Sequence, residues 1–229
     1  LRLKLPTNIP ATTMRCSILA LLLALTAVEA RPKALPLKPL ALNKALAVRG
    51  GGATELWDAY NTALEETPLI AKCSTSLTGF AIADGMTQTL IEKIPFDLKR
   101  LVRMASFGFL VHGSTGHFFY QFLDGKIPGT DPMSVALKVG IDQTLWAPVF
   151  MTMFFTYMGL FDMAPETIIP TIKKLMFVAV SSSWKCWIPA HTINFAFVPS
   201  NLRLFYINAI QIGFNCFLSI IGSKGVKED

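Results

Sequence analysis

The chain has 229 residues, 52% hydrophobic and 16% charged, with a mean hydropathy of +0.47, a formal net charge of +6 and a pI near 9.2. A soluble domain carries about 25% charged residues, so this composition excludes a disordered chain and points to a surface that faces lipid. The positive charge does not argue for nucleic acid: residues 1–50 hold eight basic residues and one acid, and the rest holds 13 basic against 14 acidic residues.

Met14 is the first methionine, so residues 1–13 read as upstream or fragment sequence. Residues 14–30 have the pattern of a signal peptide: Arg15, an apolar core of eleven residues from Ile18 to Val28, and the small-residue site Val28-Glu29-Ala30. A retained signal anchor is the alternative. Residues 31–52 form a basic, acid-free, transit-like leader ending in Gly50-Gly51-Gly52. A signal peptide followed by such a stretch resembles the bipartite presequences of secondary plastids, although Arg31 stands where an aromatic residue is usual. The plastid is thus slightly favoured over the mitochondrial inner and peroxisomal membranes.

Residues 53–229 read as an all-α integral membrane bundle of four to five transmembrane helices, preceded by a short amphipathic interfacial helix. Thr54 is the expected N-cap of that short helix, whose one face would carry Leu56, Trp57, Tyr60 and Leu64. Thr67-Pro68 should start the next. Five stretches approach the roughly 20 residues needed to cross a bilayer: Leu69–Ile91, Leu101–Leu123, Val139–Phe161, Leu175–Val198 and Leu204–Ile221. The fourth carries Ser181, Ser182, Ser183, Lys185, Pro189 and His191, so a kink or a re-entrant segment is expected there. In a five-span arrangement Lys93, Lys99, Arg100, Arg103, Lys173, Lys174, Lys224 and Lys227 share one side, and Lys72, Lys126, Lys138 and Arg203 the other. The C-terminus then faces the cytosol or a stroma-like compartment.

Charged groups inside lipid-spanning helices cost about 2.5–3.5 kcal/mol each, so they turn inward, pair, or line water. The candidates are Asp84 with Gln88, Arg103, His117, Asp142 with Gln143, Asn194, and the stripe Asn208, Gln211, Asn215 and Ser219 on the last helix. Lys138 stands one turn before Asp142, at the spacing of an intrahelical pair. These groups can line a solute pathway or serve as interhelical glue, with Gly108, Gly113 and Gly116 allowing close backbone approach. His112, His117 and His191 have no metal-ligand spacing, and the cysteines Cys16, Cys73, Cys186 and Cys216 contain no C-x-x-C pair. No cofactor and no enzymatic activity are expected.

Taken together these motifs resemble the Mpv-seventeen family, which includes the twenty-two-kilodalton peroxisomal membrane protein. The opening pattern is met by Leu56, Trp57, Tyr60, Leu64 and Pro68, and the next by Asp84 and Gln88. Asp97, Arg100, Arg103, Gly108, Gly113, His117, Tyr120 and Leu123 follow in order, then Asp142-Gln143 and Pro148. Trp187, Asn194, Phe195, Phe197, Val198, Pro199, Arg203, Asn215, Leu218 and Ser219 complete the match. Ser114, Phe118, Phe214, Ile188 and His191 depart from the family pattern, His191 replacing a glutamine. The resemblance implies an organellar membrane protein, commonly drawn with four spans, that forms a channel or permeability pathway for small metabolites. A non-conducting scaffold or assembly subunit of a larger membrane complex is the alternative. The partners implied are the lipid bilayer, small solutes, and a second copy or membrane-complex partner, with no nucleic acid.

Overall fold

The computed structural model describes residues 52–225, with side chains placed for residues 54–215. The expected signal peptide, nearly all of the basic leader, and residues 1–13 lie outside the described residues.

Helix α1 (Ala53–Glu66) is followed by five long rods. The first is α2 (Pro68–Met86) extended by a π-helical turn, Thr87–Glu92. The second joins α3 (Leu98–Phe107) to α4 (Ser114–Lys126) through the π-helical turn Gly108–Gly113. The third joins α5 (Pro132–Ile141) to α6 (Ala147–Phe161) through a further π-helical turn, Asp142–Trp146. The fourth is α7 (Ile168–Phe197) and the fifth α8 (Arg203–Gly225). The described residues contain no strand.

Local chemistry sets the rod ends. Lys93 turns the chain at φ 52°, and the Asp97 carboxylate then accepts the Arg100 amide at 3.0 Å to cap α3. Asp131 caps α5 by accepting the amides of Met133 and Ser134, both at 3.1 Å, with Pro132 at the first helical position. The third rod therefore begins at Pro132, not at Val139. The expected Thr54 cap does not form, since α1 starts at Ala53 behind Gly52; Thr67 stands at the N-cap position with Pro68 first in the helix, as expected, although its hydroxyl donates back to the Ala63 carbonyl at 3.3 Å. The fourth rod is one continuous helix through Pro189, without the re-entrant break expected there. Its serines bond within the helix, the hydroxyls of Ser181 and Ser182 donating to the carbonyls of Phe177 and Val178 at 2.7 and 2.6 Å. That satisfies them without unwinding the backbone.

The first rod packs against the second and fifth, and the third against the fourth. Two glycines set the closest approach. A Cβ on Gly108 would stand 2.6 Å from the Ser76 carbonyl oxygen, and one on Gly113 would stand 2.5 Å from Cys73 Cα, so only glycine lets these two backbones touch. Helix α1 lies against this unit: Trp57 and Tyr60 pack on Phe205, Leu64 is buried, and Leu56 turns outward at 57% exposure instead of sharing their face. By length and composition, one helix among the described residues is apolar enough to cross a membrane, Pro132–Phe161.

Candidate functional site: a cavity among five rods

The polar residues gather in three places. At one end of the bundle the Arg100 guanidinium joins the first two rods. Its Nε donates to Asp84 Oδ1 at 2.7 Å, and Nη1 donates to Glu92 Oε2 at 2.6 Å. Gln88 completes the lock: its Nε2 donates to Asp84 Oδ2 at 2.7 Å and to the Asp97 carbonyl at 3.0 Å, while its Oε1 accepts the Asp97 amide at 2.6 Å. Charge-assisted bonds of this kind are about twice as strong as neutral ones, and here they hold a loop between two helices. Arg103 and Lys99 pair with Asp162 at this same end, so Arg103 lies away from the bundle centre.

At the opposite end Asp124 accepts Lys138 Nζ at 3.0 Å and also pairs with Arg203. Phe195, fully buried, lies under both cations, with Lys138 Nζ 5.8 Å and the Arg203 guanidinium 5.1 Å from its ring centre. The i, i+4 spacing to Asp142 is thus not used: Lys138 reaches another helix, because the start of α5 turns its side chain inward toward Asp124.

Between these ends lies a cavity of about 340 Å³ to which all five rods contribute. The first supplies Phe80, the second His112 and Tyr120, the third Asp142, Gln143 and Trp146, the fourth Ser183, Trp187 and His191, and the fifth Gln211 and Asn215. Asp142 is its centre. Tyr120 donates to Oδ1 at 3.2 Å, Gln143 Nε2 to Oδ2 at 2.7 Å, and His191 Nε2 stands 3.3 Å from Oδ2. The indole of Trp184 donates to the Gln143 carbonyl at 3.4 Å, and Trp187 stacks on His191 at 5.3 Å. Gln211 donates to Asn215 at 2.6 Å across the fifth rod.

Local sequence explains how two adjacent residues both reach the cavity. Pro148 has no N–H for the Thr144 carbonyl, and the wider i→i+5 turn over Asp142–Trp146 absorbs that interruption. Asp142 and Gln143 are both buried as a result. The second rod repeats the device, its π-helical turn carrying His112, whose Nδ1 lies 3.0 Å from Ser76 Oγ.

The residues singled out in the sequence are therefore divided. Asp142, Gln143, Gln211, Asn215, Tyr120 and Trp187 line the cavity, whereas Asp84, Gln88, Asp97 and Arg100 form the lock. Asn208 leaves the stripe and donates to Ser76 Oγ at 3.1 Å. His117 is buried elsewhere on the second rod, in edge contact with Phe118. Asn194 is fully buried, and neither of its amide atoms has a partner among the described residues. His112, Trp146 and Phe150 were missed as lining residues; only the glycines flanking His112 hinted at a close-packed turn. Among the described residues no cluster of side chains is arranged to hold a metal ion.

This arrangement can be set beside known proteins. Residues 159–219 match the Mpv17 / PMP22 family. PXMP2/4 family protein 2 of Dictyostelium discoideum is 33% identical over 177 residues, covering 73% of this chain and 91% of that protein. The chain belongs to the Mpv17 / PMP22 family. Protein SYM1 of Gibberella zeae is similar to this family member at 32% identity, with 72% of this chain and 96% of that protein covered. Peroxisomal membrane protein 2 of Bos taurus is 27% identical over 172 residues, covering 71% and 87%. No solved structure matches. Membership of the family indicates an organellar membrane protein.

Proposed function

We propose that the bundle crosses an organellar membrane and provides a permeability pathway for small solutes through the cavity on Asp142. The observation that carries this reading is a polar-centred cavity bordered by every long rod of the bundle. A bilayer setting is supported by the outer surface, where Leu110, Phe122, Leu145 and Phe177 are 60, 61, 64 and 82% exposed. Length supports it too: at 1.5 Å per residue the 23 residues of α8 reach about 34 Å, enough for a hydrocarbon core of about 30 Å. Five spans then place Lys93, Lys99, Lys173 and Lys174 at one end, which becomes the cytosolic or stroma-like side. The choice of plastid, mitochondrial or peroxisomal membrane rests on the leader.

The test is conductance of the purified chain in a planar bilayer. Channel activity altered by Asp142→Ala supports the pathway, and silent bilayers from a folded, helical protein overturn it. One observation favours a second reading, a non-conducting assembly subunit: the lock on Arg100 and the pair of cations on Asp124 consume their polar groups within the bundle. That reading expects a different protein at fixed stoichiometry in native mass spectra, whereas a pathway expects a single species or homo-oligomer.

A further inference from the structure

Asp142 differs from the other buried or half-buried carboxylates in what surrounds it. Asp84 has Arg100, Asp124 has Lys138 and Arg203, and Asp162 has Lys99 and Arg103. Asp142, 2% exposed, receives only a phenol, a carboxamide and an imidazole, and no Lys or Arg lines its cavity. Two donors converging on one carboxyl, with an imidazole nitrogen 3.3 Å away, suit its ionised, acceptor-only form. The imidazole does not supply the missing cation, because His191 Nδ1 has no partner among the described residues. A charged ring would bury a bare N–H there, whereas a neutral ring protonated at Nε2 leaves a lone pair. Gln143 Oε1 is likewise unpartnered, since its amide nitrogen is committed to Asp142.

The cavity thus holds one carboxylate with no Lys or Arg partner, two unpartnered buried acceptors beside it, and a wall of aromatic side chains that includes Trp146, Phe150, Phe154 and Trp187. We propose that it binds a small organic ammonium, primary or methylated, carried on an apolar or aromatic body. The ammonium would pair with the carboxylate while the surrounding rings hold it by cation–π attraction, which is strongest in a desolvated site. Anions are excluded by the charge on Asp142. Polyols are disfavoured by a wall that is mostly apolar, and a volume of about 340 Å³ is the lower end of the range for one small ligand. The inference rests on reading this cavity as the solute site, and it names the class of solute.

The experiment is calorimetric titration of the full chain in dodecyl maltoside with 2-phenylethylammonium and with its neutral counterpart 2-phenylethanol. The expected result is saturable binding of one ammonium per chain, at least tenfold tighter than the alcohol. D142N should abolish that preference while alcohol binding and helical circular dichroism persist, and Trp187→Leu should weaken the ammonium about fivefold. Equal affinity for the two probes, or a preference that survives both substitutions, overturns the site. The comparison of probes on the unaltered chain decides the matter even where D142N does not fold. Adding phosphatidylethanolamine tests the source: competition assigns the site to a lipid headgroup, no competition to a free ammonium, and the site stands in either case. Ammonium binding by a chain that is silent in bilayers removes the pathway alone, whereas conductance without any preference for ammonium removes this inference alone.

Discussion

Asp84 and Asp142 occupy similar places in the chain. Each lies inside a long rod at or near a π-helical turn, each is almost fully buried, and each accepts a glutamine amide at 2.7 Å. Their remaining partners differ: Asp84 receives a guanidinium that also grips Glu92, whereas Asp142 receives a tyrosine and a histidine beside open space. A buried carboxylate with its own cation fastens helices together, because removing either member strands a charge. One held only by neutral donors can exchange interactions with a solute. The same residue type at comparable depth therefore has two roles, set by whether a cation lies within reach.

The largest effect should come from Arg100→Met. It leaves Asp84 and Glu92 without their shared cation and should destabilise the bundle by about 3 kcal/mol, read as a lowered unfolding midpoint in detergent. Gly113→Ala comes next. Its Cβ would meet the Cys73 backbone at 2.5 Å, and the separation of the first two rods should cost about 1–3 kcal/mol, measured in the same assay. Asp142→Asn should cost only about 1 kcal/mol yet change conductance more than either of the others. A large loss of stability there, with transport unchanged, would erase the contrast between the two aspartates.

The smallest effect concerns Asp131, a solvent-facing carboxylate at the head of α5 that serves as an outside reference. The Ser134 hydroxyl, followed by the Ser134 amide, holds its carboxyl below the usual aspartate value. A lowered folded-state value means that its contribution is fully present above the unfolded aspartate value and is lost as pH falls through the lower, folded one. Acid titration followed by circular dichroism should show Ser134→Ala losing α5 at a higher pH than the unaltered chain.

Four to five rods were legible because apolar runs alternate with strong turn signals, such as Asp131-Pro132, and the serines and Pro189 of the fourth run left its continuity open. The site was legible only in part. Spacing along one helix paired Lys138 with Asp142, but a side chain chooses among all the helices within reach, and Asp124 was nearer. The polar stripe Asn208, Gln211 and Asn215 was visible, yet its division between Ser76 and the cavity depends on how α8 is rotated against the first rod. Arg103 carries the same charge as Arg100 one turn away, and only the fold sends one to Asp84 and the other to Asp162. The π-helical turns could not be read, since a widened turn has no composition of its own.

The turn at Asp142–Trp146 also has a genetic consequence. A widened turn holds one residue more than the regular helix would, so an in-frame loss of a single codon within it is absorbed as ordinary α-helix. The residues downstream then keep their facing, because the widened turn takes up its extra residue within itself. Phe150 and Phe154 would stay on the cavity wall, α5 would keep its register and Lys138 its hold on Asp124. A one-codon deletion here should therefore leave a folded bundle whose cavity changes at the turn itself, where two adjacent side chains could no longer both face inward.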